Sequence, residues 1–305
     1  MPDSPSRFER LVRGLIRLAR RLFRNTWLAR LPITTYVYRR MFHSLYSDED
    51  KEVRFRGHRL VVPMRDVTIA PSLIDGEYET FELDIFERIV QPGMVVFDVG
   101  ANLGIYSVIA AARVGSAGRV FAFEPVPENL EYLRTNIELN GLRNVEVVPQ
   151  GVGSEKGQMR IFLSPNGVGS HSAAAANVGR TLSGQRSTRG HVDVPVITID
   201  EFAAARSVVP DVVKMDIEGY EAFAVRGAAT TLERRPTLLM EFSAPLLERC
   251  GSDPIALAQL LMQIYGGSYL FDERARRLRK VERPEDLRGL WNGNLLFTTD
   301  AGRFV

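Results

Sequence analysis

Four acidic residues close short apolar runs in this chain. Asp98 follows Val95–Phe97, Glu124 follows Val120–Phe123, Asp216 follows Val212–Met215 and Glu241 follows Thr237–Met240. Such runs read as buried strands. In an open parallel sheet the carboxyl ends of the strands lie along one edge, where ligands bind, so the four carboxylates should line one crevice. Each acid also has a plainer reading: Asp98 or Asp216 as a helix cap, Glu241 as the partner of an arginine. All four in register with strands are harder to dismiss.

Between Asp98 and the helical run Ile105–Ala112 lie Gly100, Ala101, Asn102 and Gly104. A strand, a glycine turn and a helix start let the backbone approach a ligand, with free N–H groups aimed at it. The stretch does not fit G-x-G-x-x-G, so it carries no pyrophosphate fingerprint. Asp98 suits a ligand with a positive charge, and S-adenosylmethionine, with its ammonium and sulfonium, is such a ligand. Asp98 and the Gly100–Gly104 turn would hold its methionine part. Glu124 follows at about the interval of a second-strand acid that accepts hydrogen bonds from both ribose hydroxyls. The third-strand end, near Gln150–Val152, is placed to meet adenine.

Asp216 and Glu218 form the best catalytic pair, with Glu241 nearby. Methyl transfer to oxygen needs an acceptor hydroxyl in line with the sulfonium methyl and a route for its proton. Two or three carboxylates together can also hold a divalent metal. No obvious third and fourth ligand stands out, so a metal is not favoured and none is assigned. His171 and His191, in or beside a variable loop, are candidate bases, although a lone loop histidine is more often solvated.

The elements that must position these groups alternate strand and helix. Phe81–Val90 reads as a helix handing over to the first core strand, and Glu128–Leu139 as a helix before the strand Val145–Val148. Short connections of this kind imply right-handed crossovers and a parallel sheet. Gly157–Leu163 and Val192–Ile197 read as additional strands, and Thr198 or Asp200 as the cap of the following helix. Tyr269–Phe271, Arg277–Val281 and Leu295–Thr298 read as strands without long helices between them. The expected fold is therefore α/β, with a Rossmann-like, mostly parallel seven-stranded sheet that ends in a C-terminal antiparallel hairpin, as in class I methyltransferases. Residues 1–50 form a basic helical extension, and 51–75 a short hairpin and linker with its turn at Arg56–Arg59, His58 being a turn residue. Residues 76–305 form the catalytic domain. A Ser-, Gly- and Ala-rich stretch at about 164–190 is an inserted loop, of a length that suits a lid, a substrate loop or disorder.

Composition bounds the rest. With 45% hydrophobic and 25% charged residues in 305, the chain is an ordinary folded protein. A formal net charge of +2 gives no argument for nucleic acid. One cysteine, Cys250, excludes an intramolecular disulfide. No apolar run is long enough to span a bilayer and no signal peptide is evident, so a cytoplasmic location is expected. Between Arg7 and Arg40 stand ten arginines against one acid, Glu9. Those of residues 7–24 fall largely within an arc of roughly 100° on a helical wheel, opposite Leu11, Leu15 and Phe23. Such a helix can lie on an anionic membrane surface, dock on an acidic partner or pack on its own domain.

Phe97–Ser107, Phe123-Glu124-Pro125, Asn136–Gly141 and Lys214-Met215-Asp216-Ile217-Glu218-Gly219-Tyr220-Glu221 together resemble the FkbM-type methyltransferases. The likeness runs from about Gly76 to Glu241, and Asn294–Leu296 also matches. It implies an S-adenosylmethionine-dependent enzyme that methylates hydroxyls and releases S-adenosylhomocysteine. By this likeness Glu79, Asp98, Gly100, Ala101, Asn102, Gly104, Glu124 and Pro125 bind cofactor. Lys214, Asp216, Glu218 and Glu241 line the acceptor side. The leading expectation is an O-methyltransferase acting on a sugar, a glycolipid or a surface-polysaccharide precursor. A polyketide-type alcohol is the alternative acceptor. An inactive membrane-surface binding protein on the same scaffold is the alternative class. A nicotinamide dehydrogenase fails on the missing fingerprint and the antiparallel ending.

Overall fold

The computed structural model describes residues 49–66, 69–165, 167–178, 188–300 and 302. The basic segment 7–24 lies outside them, as does part of the inserted loop. The chain enters through β1 (Lys51–Phe55) and β2 (His58–Val62), an antiparallel hairpin in which Phe55 pairs with His58. Its turn is therefore only Arg56-Gly57, both with positive φ. This corrects the wider turn expected from sequence and moves His58 into a strand. Two helices follow, α1 (Ala70–Ile74) and α2 (Thr80–Ile89).

The core alternates from there: β3 (Val95–Val99), α3 (Ile105–Val114), β4 (Arg119–Phe123), α4 (Pro127–Leu139) and β5 (Val145–Val148). Then come β6 (Gly151–Val152), β7 (Gly157–Phe162) and β8 (His191–Ile197), which make a separate small sheet of order β6-β8-β7. The core resumes with α5 (Ile199–Arg206), β9 (Val212–Met215), α6 (Glu221–Arg226), α7 (Ala229–Glu233) and β10 (Thr237–Phe242). It ends with α8 (Ala244–Arg249), α9 (Pro254–Tyr265), β11 (Ser268–Asp272), β12 (Arg277–Val281) and β13 (Gly293–Phe297).

The main sheet runs β12-β11-β13-β10-β9-β3-β4-β5. Strands β10, β9, β3, β4 and β5 are parallel, and β13 enters antiparallel beside β10. The mostly parallel class I arrangement holds, but the sheet has eight strands rather than seven. Arg277–Val281 extends it as an outer edge paired to β11.

Period-2 alternation divides the core strands between two layers. Val96, Val120, Val212 and Leu239 pack with β2, α2 and α3 on one face. Phe97, Phe121, Phe123, Val213, Met215 and Met240 pack with α5 and α9 on the other. There Phe202 of α5 meets the three β3–β4 phenylalanines edge-on, with ring centroids 4.8–5.7 Å apart. Thr198 caps α5 in a reciprocal capping box with Glu201. Asp200 instead takes the Thr230 and Thr231 N–H groups at the start of α7.

Candidate active site

The register places the carboxyl ends of β4, β3, β9 and β10 side by side: Phe123 with Val99, Val99 with Met215, Met215 with Met240. Beyond these ends opens a cavity of about 400 Å³, of the size that holds small ligands. Glu79, Asp98, Gly100, Ala101, Asn102, Glu124, Pro125, Lys214, Asp216, Glu218 and Glu241 all line it. Gly104 does not. Its φ of +85° starts α3, and a Cβ there would stand 2.6 Å from Leu133 Cδ1. Gly104 therefore lets α3 pack on α4, behind the cavity wall.

At Gly100 the β3 turn packs directly against the backbone at the end of β9. A Cβ there would lie 1.9 Å from the Asp216 carbonyl oxygen, and φ is +85°. Only glycine lets the β3 turn pass the end of β9 this closely. The turn then brings the Asn102 N–H to Glu124 Oε2 at 2.9 Å, while the Val126 N–H donates to Oε1 at 2.8 Å. Burial pushes the Glu124 carboxyl up to about 7 despite these bonds. Asp98, one strand over, is buried and accepts from Ser107 Oγ at 2.5 Å. Burial pushes it up to about 6.

Lys214 is the register partner of Asp98 and is buried with it. Its Nζ stands 3.4 Å from Asp216 Oδ2, 3.8 Å from Glu82 Oε1 and 4.8 Å from the centre of the Tyr106 ring. Burial opposes its charge, but Asp216, Glu82 and Glu79 outweigh burial and raise its pKa. The Tyr106 hydroxyl donates to Glu79 at 2.8 Å or to Glu82 at 2.9 Å, and Asn294 Nδ2 also reaches Glu82. Burial raises the Glu82 carboxyl to about 8.

Asp216, Glu218 and Glu241 converge at the other end of the cleft. One carboxylate oxygen of each lies within 4.8 Å of the other two. Glu218 sits at φ 54°, and its carbonyl accepts from Ser172 Oγ at 2.8 Å and Asn177 Nδ2 at 3.1 Å. Glu221 ties the same turn by accepting the Ile217 and Gly219 N–H groups. Burial pushes both Glu218 and Glu241 well above the usual carboxylate range, with Asp216 adding to each.

The described part of the inserted loop forms a wall of this cavity. The Val168 N–H donates to Asp66, and its carbonyl accepts from Asn129 Nδ2. His171 is buried rather than solvated, which corrects the sequence expectation. Its Nδ1 accepts the Ser164 N–H at 2.9 Å, so the ring proton sits on Nε2. Burial lowers His171 to about 4. His191 is exposed at the start of β8, away from the cavity.

Sequence reasoning missed Glu82, Tyr106, Asn129 and Ser172. Glu82 and Tyr106 sit inside helices whose apolar spacing marks only their core faces. Ser172 lies in a loop without periodicity. The one available signal was Asn129, a polar residue beside Leu130 on the buried face of α4.

Residues 98–274, more than half of the chain, match the family model described as Methyltransferase FkbM domain. The hexuronic acid methyltransferase AglP of Haloferax volcanii is 27% identical over 212 residues, 69% of this chain and 75% of that protein. A protein-L-isoaspartate O-methyltransferase of Aeropyrum pernix is 48% identical over 65 residues, 21% of this chain and 25% of its own. Among solved structures, Trm5b from Pyrococcus abyssi aligns over 82% of this chain and 55% of its own, at 18% identity and a TM-score of 0.40. A SAM dependent methyltransferase from Aquifex aeolicus aligns over 71% and 89%, at 14% identity and a TM-score of 0.37.

Proposed function

Because the chain belongs to the FkbM methyltransferase family and is an S-adenosylmethionine-dependent methyltransferase, we propose that its acceptor is a hydroxyl group on a sugar or a sugar-bearing precursor. The observation that carries this reading is the division of one cleft into two acidic ends. Asp98 and Glu124 occupy one end, and Asp216, Glu218 and Glu241 the other. The hexuronic acid specificity in the name of the Haloferax relative points to the same acceptor class.

The residues present fit the cofactor. Gly100 lets the β3 turn lie against the end of β9 with no side chain between them, and the buried Asn102 Oδ1 has no hydrogen-bond donor. Asp98 with the turn from Gly100 to Leu103 would hold the methionine end. Glu124 would hold the ribose, since each of its oxygens accepts one backbone N–H and keeps a lone pair for a hydroxyl. When bound, S-adenosylmethionine supplies an electrophilic methyl group on a sulfonium.

The chain then has to orient the acceptor oxygen and remove its proton. Asp216 is half-buried at the acceptor end, on the strand next to the one that carries Asp98, and it takes the hydroxyl proton. Lys214 pairs its ammonium with the Asp216 carboxylate and so restrains it. Residues 168–173 of the loop line the cleft, and the buried Glu241 carboxyl faces it in a lower dielectric than water, where its pull on a hydroxyl is stronger. The test is a methyl-transfer assay on uronic acids, neutral sugars and simple alcohols. Turnover confined to non-sugar alcohols would contradict the reading.

A further inference from the structure

We propose that Asp216, Glu218 and Glu241 bind a hard divalent cation at the acceptor end of the cleft. The three side chains come from the end of β9, the turn behind it and β10, and one oxygen of each lies within 4.8 Å of the others. Three oxygens at that limit lie about 2.8 Å from their common centre, a few tenths of an ångström beyond the 2.3–2.6 Å bond of Ca²⁺ to oxygen, so small side-chain rotations bring all three onto one ion. An all-oxygen donor set selects Ca²⁺, Mn²⁺ or Mg²⁺ over softer metals.

A second observation points the same way. Glu241 is only 9% exposed, and its Oε2 is buried without a hydrogen-bond donor. The Glu241 carboxyl also meets the Asp216 carboxyl, and two ionised carboxyls in contact need either a shared proton or a cation between them. The nearby ammonium does not fill this role, because the ion pairs of Lys214 are with Glu82 and Asp216. The backbone of Glu218 is fixed from outside, since Ser172 and Asn177 clamp its carbonyl.

Three protein oxygens leave positions on a six- to eight-coordinate ion for water or ligand. Two neighbouring oxygens of the acceptor, a vicinal diol or a hydroxy acid, could take them, and the ion would then favour the ionised hydroxyl. This role rests on the sugar-acceptor reading. The site itself does not.

The experiment uses the full chain, freed of metal with a chelator and titrated with Mn²⁺ alone, with free Mn²⁺ read by electron paramagnetic resonance. The expected result is one Mn²⁺ per chain, displaced by Ca²⁺. Glu241→Gln and Glu218→Gln should each weaken it about tenfold or more, with unchanged thermal melting of the metal-free protein. No binding up to about 1 mM Mn²⁺, a concentration that would load even weak extracellular-type sites, would overturn the proposal. So would binding that neither variant disturbs, because a proton held among the carboxylates would then satisfy Glu241 instead. Mn²⁺ binding without methylation of any sugar would leave the site standing and remove the acceptor reading. Full sugar methylation by the chelated enzyme, with no Mn²⁺ bound in the titration, would do the reverse.

Discussion

The buried ammonium of Lys214 stands 3.8 Å from the carboxylate of Glu82, a residue brought to it by α2, which packs on the sheet face that Val212 and Lys214 share. The pair joins the helical layer to the strand that carries Asp216. Lys214→Met should cost about 3–5 kcal/mol, because it strands several buried carboxyls without a cation. The loss should be larger at pH 8 than at pH 6, since at lower pH those carboxyls take up protons and lose their charge. Urea unfolding at the two pH values checks both statements.

A Glu124 that holds the ribose, as proposed, gives cofactor binding a pH dependence. Its carboxyl is pushed up to about 7 by burial, and the ribose hydroxyls would donate to its ionised form. Affinity for S-adenosylhomocysteine should therefore be full above about pH 7 and fall as pH drops through that value, by up to about tenfold per unit. Calorimetry in buffers of different ionisation enthalpy should show proton release on binding near pH 6. Glu124→Gln should bind more weakly and lose this part of the slope.

Gly100 and Gly57 have nearly the same backbone angle but different surroundings. A Cβ at Gly57 meets nothing within 4 Å, whereas one at Gly100 meets the Asp216 carbonyl at 1.9 Å. Gly57→Ala should cost about 1–2 kcal/mol, the price of the left-handed conformation alone. Gly100→Ala adds a backbone clash of about 1–3 kcal/mol more and should also abolish cofactor binding. Thermal melting and S-adenosylhomocysteine titration of the two variants separate strain from steric exclusion.

His171 should not act as the base. Ser164 occupies Nδ1, Nε2 carries the proton, and burial holds the ring neutral above about pH 4. Nitrogen-15 spectra of the imidazole should show the Nε2–H tautomer unchanged from pH 5 to 8. A ring that titrates between pH 6 and 7 would contradict this placement.

Much of this site was legible because it is built from local patterns. Apolar runs that end in acids mark strand ends, and a glycine turn before a helix marks the cleft between them, so Asp98, Glu124, Asp216 and Glu241 could be placed together from sequence. Gly104 belongs to the same pattern but serves packing against Leu133, a contact that only the fold reveals. The Lys214–Glu82 pair and the His171–Ser164 bond were not legible, because each depends on where a helix or loop is laid down. Helices α1, α7 and α8 are too short for apolar periodicity to show. The Arg56-Gly57 turn lacks the usual Asn-Gly signal, which is why it read too wide.

In the proposed arrangement one cleft has a cofactor end at Glu124 and an acceptor end at Asp216. This division is tested most directly by titrating S-adenosylhomocysteine into the parent, Glu124→Ala and Asp216→Ala proteins and assaying methyl transfer by each. Glu124→Ala should lose binding, while Asp216→Ala should bind like the parent and transfer no methyl group. Equal loss of binding in both variants would contradict the division.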